Sequence, residues 1–414
     1  MPDLGRWQGL LGVAAILLLA YACSTDRRRI SPRMVIGGFL MQCLLGLFLL
    51  RVEAGRVALD AAAAWVNAVL DCALKGASFV FGDRLVAADG PAGFVFAFRV
   101  LPTIVFVAAL FAVLYHLGVM QVVVRAFAWV TAKVLGSSGA ETLNAAASIF
   151  LGQTEAPLVV RPYLARLTNS ELAVVMVSGM GLVSGGVLAA YIGFIGRDCA
   201  SRDLLTAILM TFPATIYLTK IFIPEEGVPE TLGTLKVAAD RPDANVIDAA
   251  ARGTREGMLL AANVGAVLIA FIALVALVNL GLGWVGGWWG DPDLSVERIL
   301  GWLLAPAAWL IGVPWAECPT VGGLLGIRTV ANEMMAYEDL GNLFRGGAIT
   351  GRTASLATIA MCSFANISSI GIQVGGIGAL VPERRADLAR LGVKMLVIST
   401  LATALSAAIA SVML

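Results

Sequence analysis

The sequence predicts an all-α polytopic membrane protein: eight transmembrane helices plus two re-entrant helical hairpins, an inverted repeat, and interfacial amphipathic helices. Three observations carry this prediction. Of 414 residues 59% are hydrophobic and 14% charged, with mean hydropathy +0.87, against roughly 45–50% apolar and 25% charged in soluble domains. Apolar runs of span length recur along the chain. Two of the apolar stretches are interrupted by glutamates, Glu155 and Glu333, about 178 residues apart. So little polar surface cannot cover a soluble core of this size. A cytosolic enzyme, a nucleic-acid binder and a disordered scaffold are thereby excluded. The formal net charge of +1 leaves no polybasic footprint.

The first span covers about residues 8–25 and is followed by Asp26-Arg27-Arg28-Arg29 and Arg33. Positive charge after the apolar core marks a retained span whose C-terminal end is cytoplasmic, not a cleaved signal. A second span, about 34–50, returns outward. Residues 51–90 mix apolar positions with Arg56, Asp60, Asp71 and Lys75, the pattern of an amphipathic helix lying at the interface. A third span covers about 94–118, and residues 119–140 form a second interfacial piece on the inner side. Spans follow at about 171–196 and 203–223, then a polar cytoplasmic segment at 224–256 and a span at 257–284. The last span, about 391–413, is preceded by a basic loop, Glu383 to Arg390, which places both termini outside.

Residues 141–167 and 295–342 are apolar enough to enter the membrane but are broken by polar groups and proline. Irregular backbone at that depth is tolerated where it is buried in protein or lines a cavity, so both read as re-entrant hairpins. Each is followed by a span interrupted by small or polar residues, at 179–186 and 362–371, and then by one more span. The single span between the units inverts the second relative to the first. This is the layout of secondary transporters with a midplane site between discontinuous helices. The divisions expected are scaffold spans and interfacial helices (1–140), a first repeat (141–223), a linking segment and span (224–294), and a second repeat (295–414).

The polar set in these interruptions is Gln153, Thr154, Glu155, Glu333, Asn366 and Ser369, with Phe364 beside it. Carboxamides, hydroxyls and carboxylates suit a neutral ligand with hydroxyl and amide-like edges. No Lys or Arg stands within either motif to hold a phosphate. Phe364 either stacks on a flat ring or sugar face or packs between helices. The six cysteines (Cys23, Cys43, Cys72, Cys199, Cys318, Cys362) have no paired spacing and read as small core residues. The single histidine, His116, removes every metal motif that needs two.

GQTEAPLVVRPYL (152–164), ANEMMAY (331–337) and FANISSIGIQVGGIGALVPERRADLARLG (364–392) closely resemble the signature segments of the concentrative nucleoside transporters. Their order and spacing agree over about residues 90–414. The resemblance implies a homotrimer in the bacterial inner membrane, each protomer with its own site, a scaffold part and a mobile part that moves like an elevator. It implies nucleosides such as uridine, cytidine or adenosine as substrates, a coupling cation, surrounding membrane lipid, no cofactor, no nucleic acid and no enzymatic reaction. By motif position Gln153 and Thr154 face the nucleobase with Glu155 close by through water, and Val187 lies near the base. Glu333, Asn366 and Ser369 hold the ribose hydroxyls, and Phe364 lines the pocket.

Sodium-coupled members of that family use an Asn five residues before the hairpin Gln and a Ser or Thr in the broken span. Here these positions are Ser148 and Leu182. A hard cation needs several oxygens, so a sodium site lacking two ligands is weakened. Asn144 is a turn too far back, and Ser184 restores a site only if the break is re-registered. The proton-coupled bacterial branch also has Ser at the first position. Proton coupling is therefore expected, with Glu155 or Glu333 as carrier, sodium as the alternative, and Ser148, Val183 and Ser184 completing the ion-coupling candidates.

Overall fold

The structure is a computed structural model that describes residues 4–87, 95–232, 243–288 and 290–414. Cys199, whose side chain was expected in the core, lies outside the described side chains. Among the described residues the chain is helical, with one isolated bridge between Ser138 and Leu232. The N-terminal part comprises α1 (Leu4–Ala22), α2 (Pro32–Arg51), α3 (Glu53–Phe81), the single turns α4 (Asp83–Val86) and α5 (Phe96–Arg99), α6 (Leu101–His116) and α7 (Val119–Leu135). A first unit follows: α8 (Gly139–Ser148), a 3-10 segment (Ala156–Arg166), α9 (Asn169–Gly181), α10 (Gly185–Ile195) and α11 (Arg197–Phe222). Then come α12 (Val246–Gly287) and α13 (Val296–Leu310). A second unit consists of α14 (Cys318–Val330), α15 (Glu333–Arg345), α16 (Gly351–Met361), α17 (Ile367–Leu380) and α18 (Arg385–Met413).

Local chemistry sets these boundaries. Capping boxes start α8 (Ser138 with Glu141) and α9 (Thr168 with Glu171), where each hydroxyl and carboxylate takes one otherwise orphaned backbone N–H. α7 lies between Gly118 and Gly136, both with positive φ (84° and 70°), and buries Met120, Val124, Ala128, Thr131 and Leu135 along one stripe. The two interrupted spans are real helix breaks. The first narrows to Leu182–Ser184 between α9 and α10, the second to Cys362–Asn366 between α16 and α17.

Two helix populations differ in burial. The apolar windows of α11 and α18 are 89% and 72% buried, against 11% for α12 and 22–28% for α2, α3 and α6. α11 and α18 pack on each other and on α9 and α16, so the core sits where the two units meet. α6 packs along α12 and also touches α10, α3 and α7. α1 packs on α18, and α2 packs on α11 as well as on α3 and α7. Buried polar bonds fix α2 there: the Tyr217 hydroxyl donates to Gln42 Oε1, and Gln42 Nε2 donates to Ser406 Oγ at 3.0 Å.

Two expectations change. The second hairpin does not begin at residue 295. α13 ends before Gly312 (φ 96°) and Pro314, and the helical pair is α14–α15, turning at Ala331–Asn332. α13 precedes that pair as α7 precedes the first, each an amphipathic helix packed on the arm that follows it. α3, expected at the interface, is one 29-residue helix long and apolar enough to cross by length and composition. Of the cysteines, which were expected in the core, Cys318 and Cys362 are buried and Cys43 is half-buried, while Cys23, in the turn after α1, and Cys72, on α3, are exposed.

The α13–α14 contact is backbone against backbone. A Cβ at Gly322 would lie 2.6 Å from the Gly301 carbonyl oxygen and 2.9 Å from the Ala305 nitrogen. Gly322→Ala is expected to cost roughly 1–3 kcal/mol, because backbone cannot yield as a flexible side chain does. Gly281→Ala, with nothing within 4 Å, is the neutral control. Thermal unfolding of the two purified variants checks this.

At one end of the core a charged cluster ties α8, α9 and α11 together. Lys220 Nζ lies 2.7 Å from Glu141 Oε2 and 2.9 Å from Glu225 Oε2, with Lys220 and Glu141 almost fully enclosed. Ser138 Oγ donates to Glu171 Oε1 at 2.6 Å, and Thr168 Oγ1 donates to Glu225 Oε2 at 3.1 Å.

Candidate functional site

The site is assembled from helix ends. Asn366 is the N-cap of α17: its Oδ1 accepts the Ser369 N–H at 2.9 Å and the Ser368 hydroxyl at 2.6 Å. With the oxygen committed, its Nδ2 faces outward and donates to Glu333 Oε2 at 2.8 Å. Glu333 is the first residue of α15, behind the Asn332 cap, whose Oδ1 accepts the Met335 N–H at 3.0 Å. The carboxylate thus stands at the N-terminal ends of two short helices, where dipoles and free N–H groups favour negative charge.

The first unit joins through one bond. Gln153 lies in the turn between α8 and the 3-10 segment, and its Nε2 donates to Ser369 Oγ at 3.2 Å. Gln153, Ser369, Asn366 and Glu333 form one hydrogen-bonded chain that crosses both units. Thr154 sits over Gly376 of α17, where a Cβ would approach its methyl group to 2.5 Å. Val187 is buried in the first turn of α10, and Phe364 is half-buried in the second break. Among the described residues, Gln153 Oε1 and Asn332 Nδ2 have no partner in the protein. They are an acceptor and a donor free for a ligand.

Glu155 differs from expectation. Its carboxylate accepts the Gly152 N–H at 3.2 Å, closing the turn, but the residue is exposed, whereas Glu333 is enclosed. The reason is position: the tight turn 152–155 carries Glu155 on its outer side, toward Arg252 and Glu256 of α12. Arg252 holds Glu256 at 3.0 Å and Asp243 at 2.7 Å. That guanidinium keeps the Asp243 carboxyl below the usual carboxylate range.

The ion-coupling candidates line the first break. Ser148 is buried and donates its hydroxyl to the Asn144 carbonyl at 2.9 Å. Asn144 Nδ2 is bound to Ser178 Oγ at 2.8 Å and to the Val175 carbonyl at 3.3 Å, bracing α8 against α9. Leu182 and Val183 are buried, and the Gly185 N–H donates to the Phe150 carbonyl at 3.2 Å, fastening the break to the turn. Ser184 is the N-cap of α10 without a side-chain capping bond, so its hydroxyl is not committed to the helix. Among the described residues no group of three His, Cys, Asp or Glu side chains is placed to hold a metal ion.

Three buried groups behind the site were not anticipated. Tyr191 and Tyr337 stack at 4.3 Å, and the Tyr337 hydroxyl donates to the Thr358 carbonyl at 2.8 Å. Arg328, five residues before Glu333, is fully buried. Its signal was available: an arginine within the apolar run GGLLGIRTV is an intramembrane charge as conspicuous as the glutamates. The arrangement supplies a carboxylate for a vicinal diol and a carboxamide for an amide edge.

Models described as Na+ dependent nucleoside transporter N-terminus, Nucleoside recognition and Na+ dependent nucleoside transporter C-terminus match residues 11–84, 97–198 and 203–411. The chain is 44% identical over 403 residues to the Bacillus subtilis (strain 168) protein named Uncharacterized transporter YutK, covering 97% of this chain and 98% of that one. It is 39% identical over 416 residues to Sodium/nucleoside cotransporter 1 of Rattus norvegicus, covering 97% of this chain and 63% of the rat protein. The solved structure of CNTnw in an inward-facing substrate-bound state superimposes with a TM-score of 0.92 at 42% identity, covering 99% of this chain and 98% of that one. These relatives are transporters, not enzymes.

Proposed function

As the chain belongs to the concentrative nucleoside transporter family, we propose that it imports nucleosides such as uridine, cytidine or adenosine across the bacterial inner membrane by cation symport. In this reading Glu333, Asn366 and Ser369 take the ribose hydroxyls and Gln153 and Thr154 the base, with Glu155, Val187 and Phe364 around them. The single observation that carries it is the hydrogen-bonded chain from Gln153 through Ser369 and Asn366 to Glu333. It supports the reading by linking a carboxamide and a carboxylate through the N-terminus of α17.

The protein works as a homotrimer in lipid with both termini periplasmic and the two helical pairs re-entrant. The two units are inverted repeats, and their binding elements move together as an elevator. Protons drive uptake. Leu182 offers no side-chain oxygen and Ser148 stands where sodium-coupled members carry an Asn, which leaves a sodium ion short of ligands. Glu155 is the better carrier, since a carrier must exchange protons with water and Glu155 is exposed. Sodium coupling is the second reading, favoured by the description of the matched family models and by the uncommitted Ser184 hydroxyl.

The deciding measurement is radiolabelled uridine uptake into proteoliposomes under separately imposed H+ and Na+ gradients. Accumulation is expected with an inward proton gradient in sodium-free buffer. Uptake that needs a Na+ gradient and ignores the pH gradient establishes the second reading instead.

A further inference from the structure

The guanidinium of Arg328 is fully enclosed, yet every acceptor it reaches is neutral. One nitrogen donates to the Ala360 carbonyl at 2.9 Å and to Ser363 Oγ at 3.2 Å, the other to Thr400 Oγ1 at 2.9 Å. Its Nε has no partner. Among the described residues no carboxylate lies within ion-pair distance of it. Such a charge is costly in a low-dielectric interior unless something compensates it.

Two features of the second break do so. α16 stops at Met361, and the carbonyls of its last turn lack intrahelical donors and form the negative end of the helix dipole. Both arms of the α14–α15 pair grip that end, Arg328 through Ala360 and Tyr337 through Thr358. Across the break stands Glu333, held by Asn366 at 2.8 Å, while Arg328 holds Ser363 at 3.2 Å three residues earlier on the same break. Among the described residues the groups around Glu333 include Asn366 of α17, Tyr191 of α10, Tyr337 of α15, Cys362 in the break and Arg328 of α14, and of these only Arg328 carries positive charge.

We propose that Arg328 is a positioning residue for nucleoside binding: a fixed cation at the second helix break that balances the Glu333 carboxylate, so that Glu333 serves as a ribose acceptor without a co-transported ion beside it. This rests on the reading of Glu333 as the group that takes the ribose hydroxyls. The function of the charge is then local to that carboxylate and is felt by ligands that use it.

The test is binding of uridine and of 2′,3′-dideoxyuridine to the purified full-length protein by titration calorimetry. Arg328→Met is expected to weaken uridine by ~30-fold, the value of a hydrogen bond to a charged group, and to leave dideoxyuridine within about threefold. Arg328→Lys, which keeps the charge, is expected to recover most of the uridine affinity. Unchanged uridine affinity in Arg328→Met overturns the proposal, and so does an equal loss of both ligands, which marks a purely structural role. If Arg328→Met does not purify as a monodisperse protein, Arg328→Lys decides alone: a tenfold or greater loss of uridine with dideoxyuridine unchanged overturns the role assigned to charge. Glu333→Gln separates the two levels. If it leaves uridine affinity intact, the reading of Glu333 itself falls; if it selectively weakens uridine while Arg328→Met does not, only the inference about Arg328 falls.

Discussion

Glu333→Ala is expected to reduce riboside transport by at least about 100-fold. On the proposed reading the carboxylate accepts two vicinal hydroxyls, and hydrogen bonds to a charged group contribute about 1.5–3 kcal/mol each. The substitution also frees Asn366 Nδ2, which donates to Glu333 Oε2 in the intact site. Uptake of radiolabelled uridine into proteoliposomes at matched protein density checks this, with binding measured alongside to separate affinity from turnover. Asn366→Ala is expected to lose ribosides before free bases, because Asn366 orients the carboxylate and does not touch Gln153. It also removes the α17 cap, at a cost of about 1 kcal/mol. Normal uptake by Glu333→Ala would show that the site has been placed wrongly.

The second large effect is on stability. Lys220→Met leaves Glu141 and Glu225 without the ammonium that lies 2.7 and 2.9 Å from them. Removing one partner of a buried ion pair costs roughly 3–5 kcal/mol, because the remaining charge is stranded. The double variant Lys220→Met with Glu141→Gln is expected to regain a large part of that loss. Membrane proteins often unfold irreversibly, so the appropriate measurement is the rate of thermal inactivation of uridine binding at one temperature. Equal rates for wild type and Lys220→Met would mean that the cluster is solvated and carries little.

Much of this was legible in the sequence because it is local. A glutamate inside an apolar run, a Gly-Met-Gly or an Asn-Ile-Ser-Ser within a span, and basic loops beside spans each mark a place where a continuous helix in lipid is unfavourable. The two breaks and the four linked residues Gln153, Ser369, Asn366 and Glu333 follow from such marks. What was not legible depends on partners distant in the chain. The Tyr191–Tyr337 stack joins two units, and nothing near either tyrosine announces the other. The start of the second helical pair was misplaced because α13 is as apolar as a hairpin arm; only Gly312 and Pro314 separate it from α14. Glu155 and Glu333 look alike as intramembrane acids, yet a tight turn exposes one and two helix N-termini enclose the other.

The bonds that fasten Gln42 of α2 to Tyr217 and Ser406 have a consequence for motion. They are enclosed among α2, α11 and α18, and breaking them in lipid would leave polar groups with no water to turn to. On the elevator proposed above, α2 moves with the core rather than with its housing, and α1, packed on α18, moves with it. The slip plane of such a stroke then includes the contacts that α6 makes with α10 and that α3 makes with α2 and α11. On this view a fluorophore on the first turn of α1 rides through the full stroke, and one on α12 stays still.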